Sequence, residues 1–265
     1  MTRLTAYIEG IGLLGPGLTN WATAREILAG IQPYLSLKTV IPVPELLPAA
    51  ERRRASDIVK LTLATSVEAI ATAGLEAASL PSVFSFSNGD GINCHTICEM
   101  LASEDRQISP TRFHNSVHNA AAGYWSIATG AMATSSVLCA FDASFGAGLL
   151  DALTQVVVDE TSCILMASDT PYPEPMFSKR PIPDNFGIAL VLVPQSSSNT
   201  IAKINVSITN DVASKFSDAA LETLRIAIPA ARGLPLLQAI AQKKMQTVVL
   251  DYLDNTRLAI EVTPC

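Results

Sequence analysis

The residues best placed to do chemistry lie where an apolar strand, TSSVLCAF, runs into a turn of small residues, DASFGAG, and then into a helix through LLDALTQVVV. A strand, a tight turn and a helix in that order expose the turn residue above the sheet and aim a helix N-terminus at it. A negative charge there is stabilised by the helix dipole. At the tip of this turn the sequence puts Asp142. Its carboxylate should be ionised and well held, and it is a poor acyl acceptor beside a thiolate. The same residue reads equally well as the N-cap of the helix. Cys139 lies three residues earlier, on the strand, and should not reach the tip. No catalytic nucleophile is expected at this turn.

Other groups are weaker. Cys94, His95, Cys98 and Glu99 resemble metal ligands only in residue type. A structural zinc site takes four ligands, usually from two separated pairs, and no second Cys/His pair exists. Cys94 and Cys98 are one helical turn apart and suggest a packed helix face. His114 and His118 are also one turn apart if FHNSVHNAAAG is helical, but no third ligand is in view. With Asn115 and Asn119 they are expected to satisfy one another, or backbone groups, in a buried interface. Gly10, Gly12 and Gly15 spell GxGxxG after a strand. A dinucleotide site would also need the glycines to open a helix and an acid about 20 residues on. Here Pro16 and Gly17 follow, and residues 33–44 hold no Asp or Glu, so the motif reads as a turn. No metal and no cofactor are expected.

The elements that must position these residues alternate between strand and helix, which argues for a layered α/β fold. TAYIEGIGLL, SVFSFS, TSSVLCAF, SCILMASD, FGIALVLVP and IAKINVSIT read as strands. WATAREILAG, capped by Asn20, and ASDIVKLTLATSVEAIATAGL, ending at Gly74, read as helices, as do INCHTICEML and NAAAGYWSIATG. Residues 33–48 and 171–183 are Pro-rich loops. Two helices broken by Pro229 and Gly233 follow Ser217, and TVVLDYLDNTRLAIEV closes as a hairpin across Asp254 and Asn255. No domain boundary or short repeat stands out, so residues 1–265 are read as one domain.

Bulk properties exclude several functions. Apolar residues make up 49% and charged residues only 16%, well below the usual quarter. Either a large buried interface or simply a large α/β core accounts for that. Net charge is −6, and nucleic-acid binding, which wants a basic face, is not indicated. Arg52, Arg53 and Arg54 are too short a cluster for a membrane anchor. Five cysteines without framework spacing suggest reduced thiols of a cytoplasmic protein, and MTRLTAYIEGIGLLG lacks the pattern of a signal peptide. Residues 113–141 carry no Asp, Glu, Lys or Arg, enough to span a bilayer by length. Their His, Asn, Gly, Ser and Thr content favours a buried helix and strand instead, and no membrane span is expected.

In order along the chain, YIEGIGLLGPG, SVFSFSNGDGINC, NSVHNAAAGYWSIATG, TSSVLCAFDASFGAGLLDAL and FGIALVLVP resemble the N-terminal half of a β-ketoacyl synthase. The resemblance covers roughly residues 5–195 and implies a thiolase-like layered α-β-α fold. Residues 200–265, with their helices and hairpin, would then be a shortened C-terminal part. Two departures matter. The family's nucleophilic cysteine aligns with Asp142, and the two catalytic histidines of its second half have no counterpart. The three histidines here are His95, His114 and His118, and only 123 residues follow Asp142.

That pattern, with ERRRAS and FHNSVHNAAAGYWSIATG, is similar to chain length factors, specifically the ketosynthase-like partner subunit of bacterial aryl polyene clusters. The resemblance implies a non-catalytic subunit that pairs with an active ketosynthase as a heterodimer or higher assembly. It would meet acyl carrier protein indirectly and line the acyl tunnel. His114, Val117, His118, Asn119, Ala121 and Tyr124, on the interface segment, are the expected tunnel and interface residues. The alternative is a self-sufficient acyltransferase using Cys139 or Cys94, and a third reading is a carrier-binding scaffold that leaves product length alone.

Overall fold

Apolar runs such as CILMASD and FGIALVLV can be buried on both faces only in the middle of a sheet. That is where they lie in the computed structural model, which describes residues 3–265. The strands are β1 (Leu4–Leu14), β2 (Ser82–Phe86), β3 (Ser135–Cys139), β4 (Cys163–Asp169), β5 (Phe186–Val193), β6 (Ala202–Thr209), β7 (Gln246–Leu253) and β8 (Thr256–Pro264). They form one eight-stranded sheet in the order β3-β2-β4-β5-β1-β6-β8-β7. β2 runs parallel to β3 and β4, and the remaining pairs are antiparallel. The C-terminal hairpin thus extends the same sheet, and β3 stands at its opposite edge.

The helices are α1 (Trp21–Leu28), α2 (Ala49–Arg54), α3 (Asp57–Ala73), α4 (Gly91–Ala102), α5 (Pro110–His114), α6 (Ala120–Thr129), α7 (Ser144–Val158), α8 (Met176–Lys179), α9 (Ala219–Ala227) and α10 (Leu234–Ala241). Strand residues alternate between two cores. Cys163, Leu165, Ala167, Ile188, Leu190 and Leu192 pack with α1, α7, α9 and α10. Ile164, Met166, Ala189, Val191 and Val193 pack with α3 and α6. The result is the expected α-β-α layering.

Local signals explain several boundaries. Asn20 Oδ1 accepts from Thr23 N at 2.8 Å and starts α1. α3 stops at Gly74, whose φ of 69° is the left-handed conformation glycine tolerates. The glycine-rich motif, expected to be a turn, is different. Gly10 and Gly12 lie inside β1, and a Cβ on Gly12 would sit 1.8 Å from the Thr65 carbonyl oxygen. Their bare backbone lets α3 lie directly on the strand, a packing role that a turn reading could not anticipate.

Three further expectations change. α5 ends at His114 and α6 begins at Ala120, so the two histidines share no helix. Asn115 through Asn119 form a turn because Asn115 folds back, its amide donating to the Arg54 carbonyl at 2.9 Å. Cys94 and Cys98 are exposed rather than packed, since α4 buries only Gly91 and Asn93. α7 already includes Ser144, Phe145 and Gly146, read from sequence as turn. Among the described residues, one helical stretch, Phe141–Val158, is long and apolar enough to cross a membrane, but it is half buried within the fold as the core helix under the sheet.

Candidate functional site

The strand–turn–helix is present as expected, with a strained residue directly before Asp142. Phe141, directly after β3 and Ala140, has φ 52° and is exposed. A non-glycine residue held in the left-handed region is a strained position, and such strain marks an elbow that presents its side chain. Asp142, the residue expected at the tip, comes next. The strain at Phe141 was not legible because it belongs to the backbone conformation rather than to any residue type. Neither residue carries a thiol or hydroxyl.

Nor does Asp142 cap α7. The residue preceding that helix, Ala143, makes no side-chain cap. Instead the Asp142 carboxylate accepts from Arg180 and from Arg232, the latter at 3.1 Å, and Arg232 also donates to the Asp142 carbonyl at 2.9 Å. Both arginines are mostly buried, with side chains 18% exposed. Arg180 arrives from the Pro-rich loop and Arg232 from the turn at Pro229–Gly233, both far from Asp142 in sequence. No spacing pattern could have paired them. Ser144 Oγ lies within bonding range of Ala140 N, Phe86 O and Phe141 O, and Ser85 Oγ donates to Ser144 O at 2.6 Å. The elbow is thereby fastened to β2.

Beneath it lies a carboxylate that sequence reading missed. Asp169, at the end of β4 and 3% exposed, accepts from Ser87 N and Ala230 N, both at 2.8 Å. Burial pushes its pKa up to about 6, against the hydrogen bonds from Ser87 and Ala230 and the positive charge of Arg180. Its own charge, after burial, helps raise the Cys139 thiol. Cys139 is exposed at the end of β3, and its Sγ lies 2.6 Å from His118 Nε2. The sequence kept Cys139 from the tip, and it is not at the tip, but it has a histidine partner that helical spacing could not reveal.

The six expected interface residues divide. His114, Val117, Asn119 and Tyr124 line a trough of about 530 Å³ together with Phe113 and Ile127. His118 turns away to Cys139, and its ring meets Phe86 edge-on. Ala121 lies on the buried face of α6 and does not line the trough. Tyr124 is itself 1% exposed, its hydroxyl donating to Asn115 Oδ1 at 3.2 Å and its ring edge-on to His114. Around the trough and elbow, Phe113, Val117, Ile127, Met132 and Phe141 are exposed. Beside them β3 presents the unpaired edge of the sheet. Exposed apolar side chains and an open strand edge are features of an interaction surface. No cluster of three or more metal-ligating side chains occurs among the described residues.

Comparison with known proteins agrees with this geometry. No curated protein matches the chain. Solved structures share its fold. It superposes with a TM-score of 0.72 at 21% identity on a chain of the ketosynthase in complex with its chain length factor from Xenorhabdus doucetiae, covering 97% of this chain and 99% of that one. The ishigamide ketosynthase/chain length factor gives 0.72 at 14% identity, covering 98% and 99%. A β-ketoacyl synthase from Burkholderia phymatum gives 0.59 at 14% identity, covering 92% and 71%. The family described as beta-ketoacyl synthase, N-terminal domain, matches residues 29–252, which span the strained elbow, the trough and both arginines on Asp142. The chain is a thiolase-like α-β-α protein and belongs to the β-ketoacyl synthase family.

Proposed function

We propose that this chain is a non-catalytic, chain length factor-like subunit that pairs with an active β-ketoacyl-ACP synthase and shapes its acyl tunnel. The pathway we assign is aryl polyene biosynthesis, a type II polyketide or fatty-acid-like process in the cytoplasm. The observation that carries the reading is the elbow: its strained residue is Phe141, and the adjacent Asp142 is neutralised by Arg180 and Arg232. Neither can accept an acyl group and release it. The open β3 edge and the exposed apolar trough supply the surface a partner would cover. The trough would then become one wall of the tunnel, with acyl carrier protein meeting mainly the partner. To test this, the chain and a ketosynthase from the same cluster are purified separately and together and given malonyl and acyl carrier protein thioesters. Condensation only in the mixture supports the reading; condensation at a ketosynthase-like rate by this chain alone refutes it.

A second reading has one specific observation in its favour. His118 Nε2 beside Cys139 Sγ is a pair from which a base could take a thiol proton. The raised thiol pKa opposes it. Acylation of Cys139 by an acyl thioester, dependent on His118 and absent from Cys94, would establish a self-sufficient acyltransferase in place of the partner role.

A further inference from the structure

A second cavity, of about 490 Å³, shares no lining residue with the trough. It is walled by the end of α2, the start of α3, the start of α4 and the α5 turn, which contribute Arg53, Arg54, Ser56, Asp90, Asn93 and Arg112. Three arginines and two carboxylates, Asp57 and Asp90, line this cavity, and Asp57 is paired with Lys60 outside the lining. Arg54 is paired with Glu51. Arg53 and Arg112 take part in none of the ion pairs among the described residues.

The walls are fixed from behind. Asn93 and Asn115 are each 6% exposed. The Asn93 amide donates to the Arg112 carbonyl and the Asn115 amide to the Arg54 carbonyl, each at 2.9 Å. Two buried amides thus hold the backbone at Arg112 and at Arg54, the residue next to Arg53. Ser56 precedes the 17-residue α3 and makes no side-chain cap, so the first amides of that helix lack a side-chain acceptor. Hydroxyls of Ser109, Thr111 and Thr170 complete the lining. One acceptor is left over. Asp90 Oδ1 takes the Asn93 amide, while Asp90 Oδ2 is buried with no partner.

We infer that this cavity binds a phosphate ester whose organic part carries a hydroxyl or amide donor. Arg53 and Arg112 hold the phosphate, since guanidinium forks match phosphate oxygens and are not engaged elsewhere. Asp90 Oδ2 accepts from the ester's donor and selects it over inorganic phosphate. This site does not depend on the partner role proposed above.

The test is calorimetric titration of the full chain, alone or with its co-purified partner, using inorganic phosphate and glycerol 3-phosphate against sodium chloride of equal ionic strength. Both should bind saturably, the ester more tightly. The double variant Arg53→Ala/Arg112→Ala should weaken both by roughly tenfold or more. Asp90→Asn, which keeps an oxygen for the Asn93 amide, should remove the ester's advantage while leaving phosphate binding in place. A melting temperature in chloride unchanged from that of the native chain establishes that the double variant is folded; if it is not, Arg53→Gln/Arg112→Gln takes its place. Heats no different from chloride, or a folded double variant that binds within twofold of the native chain, would overturn the site. An ester bound no more tightly than phosphate would overturn the role of Asp90.

Discussion

The guanidinium of Arg180 sits over the ring of Phe141, 3.6 Å from its centroid, while its Nη2 donates to the neighbouring Asp142. One side chain therefore holds both residues of the elbow, by cation–π attraction and by a charged hydrogen bond. Removing it exposes the strain at Phe141 and leaves Asp142 with Arg232 alone. Arg180→Ala should cost about 1–3 kcal/mol of unfolding free energy in urea titration. Arg180→Lys, which keeps the charge but loses the planar stack, should recover only part of that. Full recovery by lysine would mean the stacking contributes nothing.

Restoring a thiol at the elbow should not restore catalysis. Phe141→Cys, Asp142→Cys and the double change are each expected to give no condensation above the buffer background, followed by product mass. The reason is that His118 is engaged at Cys139, and no histidine lies beyond it in the sequence. Turnover by Phe141→Cys would show that a base and a decarboxylation site exist elsewhere.

Product length is best read with Val117 rather than Tyr124. Val117 is 53% exposed, so Val117→Trp fills the trough without disturbing the core. It should shorten the product made with the partner ketosynthase. Tyr124 is buried, and Tyr124→Ala should destabilise the chain by roughly 3 kcal/mol, confounding length with folding. Unchanged products from Val117→Trp and from a matching Ile127→Trp would favour a scaffold that does not gate.

Stability should fall as pH rises through the acid range because of Asp169. Its folded pKa is about 6, raised from the usual 3.8 by burial. The folded state therefore holds the proton more tightly than the unfolded chain. The contribution is complete below about pH 4 and is lost by about pH 6, a difference of roughly 3 kcal/mol at most. Thermal unfolding across pH 4–7 should show this slope superimposed on other titrations, and Asp169→Asn should remove it. An identical pH profile in that variant would rule Asp169 out.

Gly12→Ala should be among the most destabilising single-methyl additions. Its Cβ would meet a backbone oxygen at 1.8 Å, and neither β1 nor α3 can yield without moving the core. A loss of about 3 kcal/mol or more is expected by denaturant titration. A loss under about 1 kcal/mol would show that α3 slides freely on the sheet.

What the sequence displayed and what it hid follow from range. Period and punctuation are local, so the strands, Asn20, the stop at Gly74 and the hairpin at Asp254 were all legible. The glycines in β1 were visible as residues but not as a packing surface, because the residues they meet, Thr65 and Ala69, lie more than 50 positions on. The same limit hid Arg180 and Arg232 on Asp142, and Ser87 and Ala230 on Asp169. It also hid the strain at Phe141, since a positive φ at a phenylalanine has no signature in composition. Of the six residues named on the interface segment, four line the trough because they cluster in one short stretch. Ala121 and His118 lie elsewhere because the chain breaks at Asn115 instead of continuing as one helix.

The bare edge of β3 carries a burden beyond the protein itself. Its five residues, SSVLC, hold no charge and no proline, the usual deterrents to strand addition. Copies made in excess of whatever covers that edge are orphans, open to pairing with one another and to capture by chaperones and proteases. If a partner covers that edge as proposed, a cell that keeps this chain would have to match the two syntheses, and co-translation from one message is the simplest way to do so.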